Sequence, residues 1–190
     1  KLALEQLLID TFNINDKTVL ESLYIYYEMF YETSKVMNLT TIVELEEAYI
    51  KHFYDSLLLS KVVNLNQNIT LADVGTGAGF PGLVLKIVYP NLNVTLIEPI
   101  AKRCKFLQSV IDRLNLKGIV VLNERAENAI KTMRESFDIV TARAVAALNI
   151  LSEICVPFVK TDGLFIALKG ASYQEEISLS AHAIGKLKVK

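Results

Sequence analysis

The segment between residues 70 and 82 constrains the fold of this chain more than any other. It starts as a short apolar run that contains Asp73, and continues with glycines at positions 75, 77, 79 and 82. This order predicts a strand, a glycine-rich turn and a helix. Glycine adopts positive φ readily and lets a ligand approach the backbone, and a helix N-terminus presents unpaired N–H groups. The segment therefore predicts the nucleotide-binding corner of a doubly wound α/β domain.

The glycine spacing alone leaves two kinds of nucleotide-like ligand open. Gly77, Gly79 and Gly82 match the dinucleotide pattern, and Glu98 lies close to the offset of about 20 residues expected for a ribose-binding acid. Asp73, however, precedes the first glycine, where its charge would repel a pyrophosphate at low dielectric. A carboxylate there suits S-adenosylmethionine, which carries an ammonium and a sulfonium group and no phosphate. The pattern thus favours a class I methyltransferase over a dinucleotide enzyme.

Each residue of this segment then has an expected role. Gly75, Gly77 and Gly79 wrap the methionine and ribose parts of the cofactor, and Asp73 holds the ammonium directly or through water. Glu98, at the end of the next strand, accepts hydrogen bonds from the ribose hydroxyls. An alternative role for Glu98 is to cap the helix that begins near residue 100.

The hydrophobic pattern divides the chain into two parts. Residues 1–62 have helical spacing and predict a helical extension, in which Asn15 is the N-cap of the second helix and the dense tyrosines and phenylalanines are core. Residues 63–190 alternate between apolar runs and amphipathic stretches, which predicts a mostly parallel sheet. We expect strands over 71–74, 94–97, 119–122, 137–141 and 164–168, and helices over 79–89, 100–114, 126–134 and 148–158. Residues 185–190 look like the start of a sixth strand, so that the closing C-terminal hairpin is expected to be incomplete.

Composition excludes several classes of function. No apolar run approaches the roughly 18 residues of a membrane span, and two histidines and two cysteines without ligand spacing predict neither a metal site nor a disulfide. Residues 1–50 carry three lysines and nine acids, whereas residues 51–190 carry seventeen basic residues and twelve acids. The catalytic part is therefore mildly basic, which fits a face that meets phosphates.

Two cations follow the later strands. Arg143 ends the fourth strand and Lys169 the fifth, at the edge of the sheet where ligands of such folds bind. Together they fit a polyanionic substrate. Ala126 and Glu127, which follow the third strand, are candidates for contact with adenine, although Glu127 is also a suitable acid for a helix N-terminus.

Several motifs give the chain a resemblance to a known family. Asn38-Leu39-Thr40, the run from His52 to Leu57, and the run from Asp73 to Gly82 resemble the bacterial 16S rRNA guanine-N7 methyltransferases known as glucose-inhibited division protein B. Lys102-Arg103, Arg125-Ala126-Glu127, Arg143-Ala144 and Lys169-Gly170 agree in order. Glu98-Pro99 departs from the family, in which many members have Asp-Ser; Pro99 removes a backbone N–H at that point.

The resemblance implies a Rossmann-like fold, S-adenosylmethionine as cofactor, and 16S rRNA of the small ribosomal subunit as substrate. It implies cofactor contacts at Gly75, Phe80, Ala126, Glu127 and Arg143, and substrate-side positions at Asn38, His52 and Asp55. We expect a cytoplasmic monomer in which phosphate contacts come from Lys102, Arg103, Lys105, Arg143 and Lys169.

Two points stay open at this stage. His52 and Asp55 form a hydrogen-bonded pair by hypothesis, and that pair either shapes the base pocket or anchors the N-terminal helices. The acceptor is the second point: a small-molecule or protein methyltransferase shares the same cofactor site, and a non-catalytic nucleotide-binding protein is a further alternative.

Overall fold

The N-terminal part of the chain is helical in the computed structural model, which describes residues 1–37, 39, 44–143, 146–170 and 173–187. Helix α1 spans Leu2–Phe12 and α2 spans Lys17–Ser34. The prediction of Asn15 as the N-cap of α2 was wrong by one residue. Asp16 is the N-cap, because its carboxylate accepts a hydrogen bond from the Thr18 N–H at 2.8 Å.

A third helical stretch changes its winding along its length. It consists of α3 (Leu45–Ala48), a π-helical segment (Tyr49–Tyr54), α4 (Asp55–Leu57) and a 3-10 turn (Leu58–Lys61). Wider π-helical turns occur frequently at functional sites. Here the segment buries both His52 and Phe53.

Five parallel strands form one sheet in the order β3-β2-β1-β4-β5. Their bounds are β1 Thr70–Val74, β2 Asn93–Ile97, β3 Ile119–Leu122, β4 Phe137–Arg143 and β5 Val159–Leu168. All five predicted strands are present, and β5 begins earlier than expected. The α/β fold class is therefore confirmed.

Four helices of the second part follow the strands as predicted: α5 Gly82–Val88, α6 Ala101–Arg113, α7 Ala126–Met133 and α8 Leu148–Cys155. A further helix, α9 Tyr173–Lys186, was not predicted. The prediction of a sixth strand from residue 185 was wrong, because Gly185 and Lys186 belong to α9. Acids in its first turn and Lys186 in its last suit the helix dipole, and its buried Ser180 and Ala183 have helical spacing. Residues 188–190 lie outside the described part of the chain.

Alternate residues of the strands face two apolar clusters. Leu71 and Leu96 belong to a cluster that also contains the buried rings of Tyr26 and Phe30 from α2, whereas Val140 belongs to the cluster under α7 and α8. The prediction that the N-terminal aromatic residues are core is confirmed for these two rings, which are almost fully buried. The N-terminal helices thus share a core with the sheet. Within the described residues, no helix combines the length and apolar character needed to cross a membrane.

The order of the strands creates a switch point. The chain moves outward from β1 through β2 to β3, then returns to place β4 on the other side of β1. In open α/β sheets, ligands bind outside the carboxyl ends of the strands at such a point. The glycine-rich loop follows β1 and Arg143 ends β4, so that both lie there.

Candidate active site

A cleft of about 430 Å³ opens at the switch point. Its walls come from residues 75–78 and Phe80, from residues 98–100 with Arg103, and from His52 and Arg143. Three predicted groups therefore meet at one place: the glycine-rich loop, the end of β2 and the end of β4. The N-terminal helices supply a further wall through His52.

Asp73 lies beneath the loop and is fully buried. One of its oxygens, Oδ2, accepts hydrogen bonds from Thr76 Oγ1 at 2.6 Å and from the Gly82 N–H at 2.7 Å. Burial raises the pKa of Asp73 to about 6, although these two hydrogen bonds and the charge of Arg143 oppose the increase. The carboxylate thus joins the beginning of the loop to the start of α5.

The second oxygen of Asp73, Oδ1, is buried without a hydrogen-bond partner among the described residues. A buried carboxylate with one unsatisfied oxygen is costly unless a cation or donor completes it. Asp73 is not among the residues that line the cleft, so its charge acts on a ligand there from beneath the loop. Its predicted role in holding an ammonium group stays a prediction.

Glu98 is almost fully buried at the edge of the cleft. Its Oε2 accepts a hydrogen bond from the Gly77 N–H at 2.9 Å, and its Oε1 accepts one from the Ile100 N–H at 2.9 Å. Ile100 is the N-cap residue of α6, so the alternative role at the helix start is observed. Each carboxylate oxygen has a second acceptor site, and the predicted ribose role of Glu98 stays a prediction.

Gly77 stands where the loop faces open space. Its φ is +62°, and a Cβ built there meets no atom within 4 Å. Glycine at this position meets the conformational demand and leaves the backbone open on the side of the cleft. The open face of Gly77 leaves room for the close approach of a ligand to the backbone, and that predicted approach stays a prediction.

Arg143 joins β4 to the N-terminal helices. Its Nη1 donates a hydrogen bond to the Lys51 carbonyl at 2.8 Å, and its Nη2 lies 3.0 Å from Nδ1 of His52. The rings of His52 and Phe80 are stacked, with centroids 4.4 Å apart and an angle of 12°. The guanidinium carbon lies 5.2 Å from the centroid of Phe80, within range of a cation–π interaction.

His52 has a partner that the sequence did not indicate, and its predicted pairing with Asp55 stays a prediction. Nδ1 of His52 forms a hydrogen bond with Arg143. Asp55 is half-buried and interacts with the positive charge of Arg143. Burial raises the pKa of Asp55, and Arg143 lowers it in part. Asn38, the third predicted position on this side, lies outside the described residues.

The remaining predicted residues lie at varying distances from the cleft. Lys169 Nζ donates to the Ala146 carbonyl at 2.6 Å and forms an ion pair with Glu176 at 2.7 Å, which directs it toward α9. Ala126 and Glu127 begin α7 at the end of β3 and are not among the residues that line the cleft. Arg103 lines the cleft, and Lys102 and Lys105 are exposed beside it on α6.

Sequence reasoning missed two residues that shape the site. The amide of Asn123 donates to the carbonyls of Glu98 and Pro99, both at 3.0 Å, and joins the ends of β2 and β3. Tyr26 donates to the carbonyl of Ala78 in the loop. Its helical spacing predicted burial, but nothing local indicated a partner 52 residues away. No group of three or more His, Cys, Asp or Glu that could hold a metal occurs within the described ranges.

Solved structures share this architecture. A SAM-dependent methyltransferase from Aquifex aeolicus aligns over 75% of this chain and 83% of its own, with a TM-score of 0.56 and 21% identity. Coclaurine N-methyltransferase, bound to N-methylheliamine and SAH, aligns over 67% of this chain and 38% of its own, with a TM-score of 0.53 and 20% identity. The fold is that of the class I S-adenosylmethionine-dependent methyltransferases.

The sequence identifies the family within that class. The family model GidB, rRNA small subunit methyltransferase G, matches residues 19–190. Ribosomal RNA small subunit methyltransferase G of Staphylococcus carnosus is 47% identical over 90% of this chain and 72% of its own length; that of Bacillus subtilis is 48% identical over 88% and 71%. This chain belongs to the GidB family, and its resemblance to that family is confirmed. It is an rRNA methyltransferase with S-adenosylmethionine as cofactor.

Proposed function

We propose that the protein methylates N7 of a guanine in 16S rRNA of the small ribosomal subunit, without a general base. Guanine N7 carries a lone pair in the neutral base and has no proton to lose. The bound cofactor supplies an electrophilic methyl group on sulfonium. The chain therefore has to hold the base in the orientation that reacts. In well-oriented reactions such positioning lowers the activation barrier by about 7–11 kcal/mol.

One observation supports a mechanism without a general base. His52 is the histidine of the cleft, and it is only 4% exposed. Its Nδ1 lies 3.0 Å from Arg143, which can only donate. A ring held in this way between Arg143 and Phe80 anchors the N-terminal helices against the sheet and does not move a proton.

The cofactor is held, in this proposal, by the glycine-rich loop with Phe80, by the charge of Asp73 and by Glu98, together with Ala126, Glu127 and Arg143. The unsatisfied Oδ1 of Asp73 supports a cationic ligand at the loop. The open face of Gly77 supports close approach to the backbone. Residues 1–62 act as a helical extension on the methyltransferase core of residues 63–190.

The RNA lies, in this proposal, along the start of α6 and the substrate side of the cleft. Lys102, Arg103 and Lys105 stand beside the cleft and are at least partly exposed. N7 faces the major groove, which is deep and narrow in A-form RNA, so the target guanine belongs to an irregular or unpaired region. We propose that the protein is a cytoplasmic monomer. Sedimentation of the purified protein tests whether it is monomeric.

The test of the proposal is methyl transfer from radiolabelled S-adenosylmethionine to small ribosomal subunits and to their stripped RNA, both from cells that lack the enzyme. We expect the label in 7-methylguanosine, identified by mass after digestion to nucleosides. Label in another nucleoside, or in ribosomal protein, would overturn the proposal. The better of the two acceptors shows whether the enzyme requires RNA already shaped by ribosomal proteins.

A further inference from the structure

The glycine-rich loop has a contact with the N-terminal helices that no motif indicated. Tyr26 of α2 is fully buried, and its hydroxyl donates a hydrogen bond to the carbonyl of Ala78 at 2.5 Å. We propose that Tyr26 is a positioning residue that holds the loop in the shape that binds the cofactor. The proposal rests on the cofactor site proposed above and deepens it.

Ala78 lies between two glycines, and its carbonyl is held from outside the loop. Its neighbours Gly77 and Gly79 have φ values of +62° and +105°, and glycine leaves both peptide planes adjoining Ala78 unusually free to rotate. Glu98 holds the Gly77 N–H on one side, and Asp73 holds the Gly82 N–H on the other. Between them, the N–H of the Ala78–Gly79 peptide donates to the Thr76 carbonyl at 3.0 Å within the loop, and Tyr26 holds the other end of that peptide, the Ala78 carbonyl.

The packing of Tyr26 involves three consecutive residues of the loop. Beside its bond to Ala78, its hydroxyl lies 2.6 Å from the point where a Cβ of residue 79 would stand, so that it fills the space that glycine leaves. Its ring stacks on Phe80 at 5.5 Å and 27°. Phe80 in turn carries His52 and Arg143 on the cleft wall. Movement of Tyr26 is therefore coupled to the loop and to the cleft wall together.

A second tyrosine offers a matched comparison. Tyr49 is 1% exposed in the same core, and its ring packs on Phe53 at 4.9 Å, as that of Tyr26 does at 5.6 Å. Its hydroxyl, however, has no hydrogen-bond partner among the described residues. Replacing either tyrosine by phenylalanine removes one buried oxygen, but only the change at Tyr26 frees a carbonyl of the loop.

The experiment measures the dissociation constant of S-adenosylmethionine by calorimetry for the full chain, for Tyr26→Phe and for Tyr49→Phe, well below their unfolding temperatures. We expect the constant to rise about three- to tenfold for Tyr26→Phe and to stay unchanged for Tyr49→Phe. An unchanged constant for Tyr26→Phe, or an equal rise in both variants, would overturn the inference. Absence of binding by the unmodified chain would instead refute the proposed cofactor site.

A measurement on the unmodified protein covers the case in which Tyr26→Phe does not fold. Coupling is reciprocal, so S-adenosylmethionine should slow amide hydrogen exchange in the turn of α2 around Tyr26 as well as in residues 75–80. Helix α8 lies against the opposite apolar cluster and reports the general stabilisation by a ligand. Greater slowing in α2 than in α8 supports the proposal, and equal slowing contradicts it.

Discussion

Arg143 and His52 form a hydrogen bond across 91 positions of sequence, with Nη2 and Nδ1 3.0 Å apart. A guanidinium only donates, so Nδ1 of His52 accepts in this hydrogen bond. The same guanidinium donates to the carbonyl of Lys51. The end of β4 is thereby joined to the π-helical segment, and a helix from the N-terminal part becomes one wall of the cleft.

His52→Ala is expected to lower the free energy of unfolding by about 2–4 kcal/mol, because it removes a buried ring that stacks on Phe80 and accepts from Arg143. Urea unfolding measures this change. Methylation should fall only in proportion to the folded fraction. His182→Ala, on the exposed side of α9, is the control and should change little; loss of activity in a fully folded His52→Ala protein would assign His52 to the substrate.

Asp73→Asn is expected to raise the free energy of unfolding of the cofactor-free protein at pH 7 by about 1–2 kcal/mol while weakening cofactor binding. Burial raises the pKa of Asp73 to about 6, so the ionised carboxylate costs the cofactor-free protein free energy at pH 7, and an amide oxygen can still accept from Thr76 and Gly82. Thermal unfolding and calorimetry measure the two effects.

Asp138→Asn is the comparison for that substitution, and its expected change in the free energy of unfolding has the opposite sign. The pKa of Asp138 is lowered because its carboxylate accepts hydrogen bonds from Thr70, so its replacement should destabilise the protein and leave cofactor binding intact. A destabilised Asp73→Asn protein with normal cofactor affinity would show that Asp73 serves the fold alone.

Cofactor binding is expected to weaken as pH falls below about 6. The free carboxyl of Asp73 is increasingly protonated there, whereas the ammonium of the cofactor favours the carboxylate, so binding must displace a proton. The dissociation constant should then rise about tenfold for each pH unit below 6. Calorimetry between pH 5 and 7 in buffers of different ionisation enthalpy measures the proton released; a flat profile would contradict the role of Asp73.

The stability of the cofactor-free protein should respond to the same group in the opposite direction. Because the native pKa of Asp73 lies above its ordinary value of 3.8, the folded state binds the proton more tightly than the unfolded state. The resulting stabilisation is fully present below 3.8 and is lost as pH rises through about 6. The Asp73→Asn protein lacks this contribution and isolates it by difference.

Charge reversal at Lys102 and Lys105 should weaken RNA methylation and spare cofactor affinity. Both are exposed on α6 beside the cleft, so the pair Lys102→Glu and Lys105→Glu should raise the KM for the ribosomal acceptor and flatten its salt dependence. Lys117→Glu with Lys131→Glu, exposed beyond the end of α6 and on α7, is the control of equal charge. Equal losses in both double variants would indicate general electrostatics and no defined RNA surface.

Local pattern predicted the parts of the site that lie close together in sequence. The glycine-rich loop, Asp73 and Glu98 were placed correctly because each ends a strand, and parallel strands bring such ends to one edge of a sheet. Lys169 also lies at the end of a strand, yet its ion pair with Glu176 directs its side chain toward α9. Strand position locates a residue at the edge of a sheet, but the direction of its side chain depends on the neighbours it finds there.

The sequence by itself determined the α/β class, the order of the strands and helices as far as α8, and the family, because these depend on periodicity, on turn residues and on motifs within short stretches. Only the tertiary structure decided that His52 pairs with Arg143, that Tyr26 braces Ala78, and that Asp73 is buried with one unsatisfied oxygen. The contacts of His52 and Tyr26 join residues that are far apart in the chain. Their formation depends on how the N-terminal helices pack against the sheet, which no local pattern encodes.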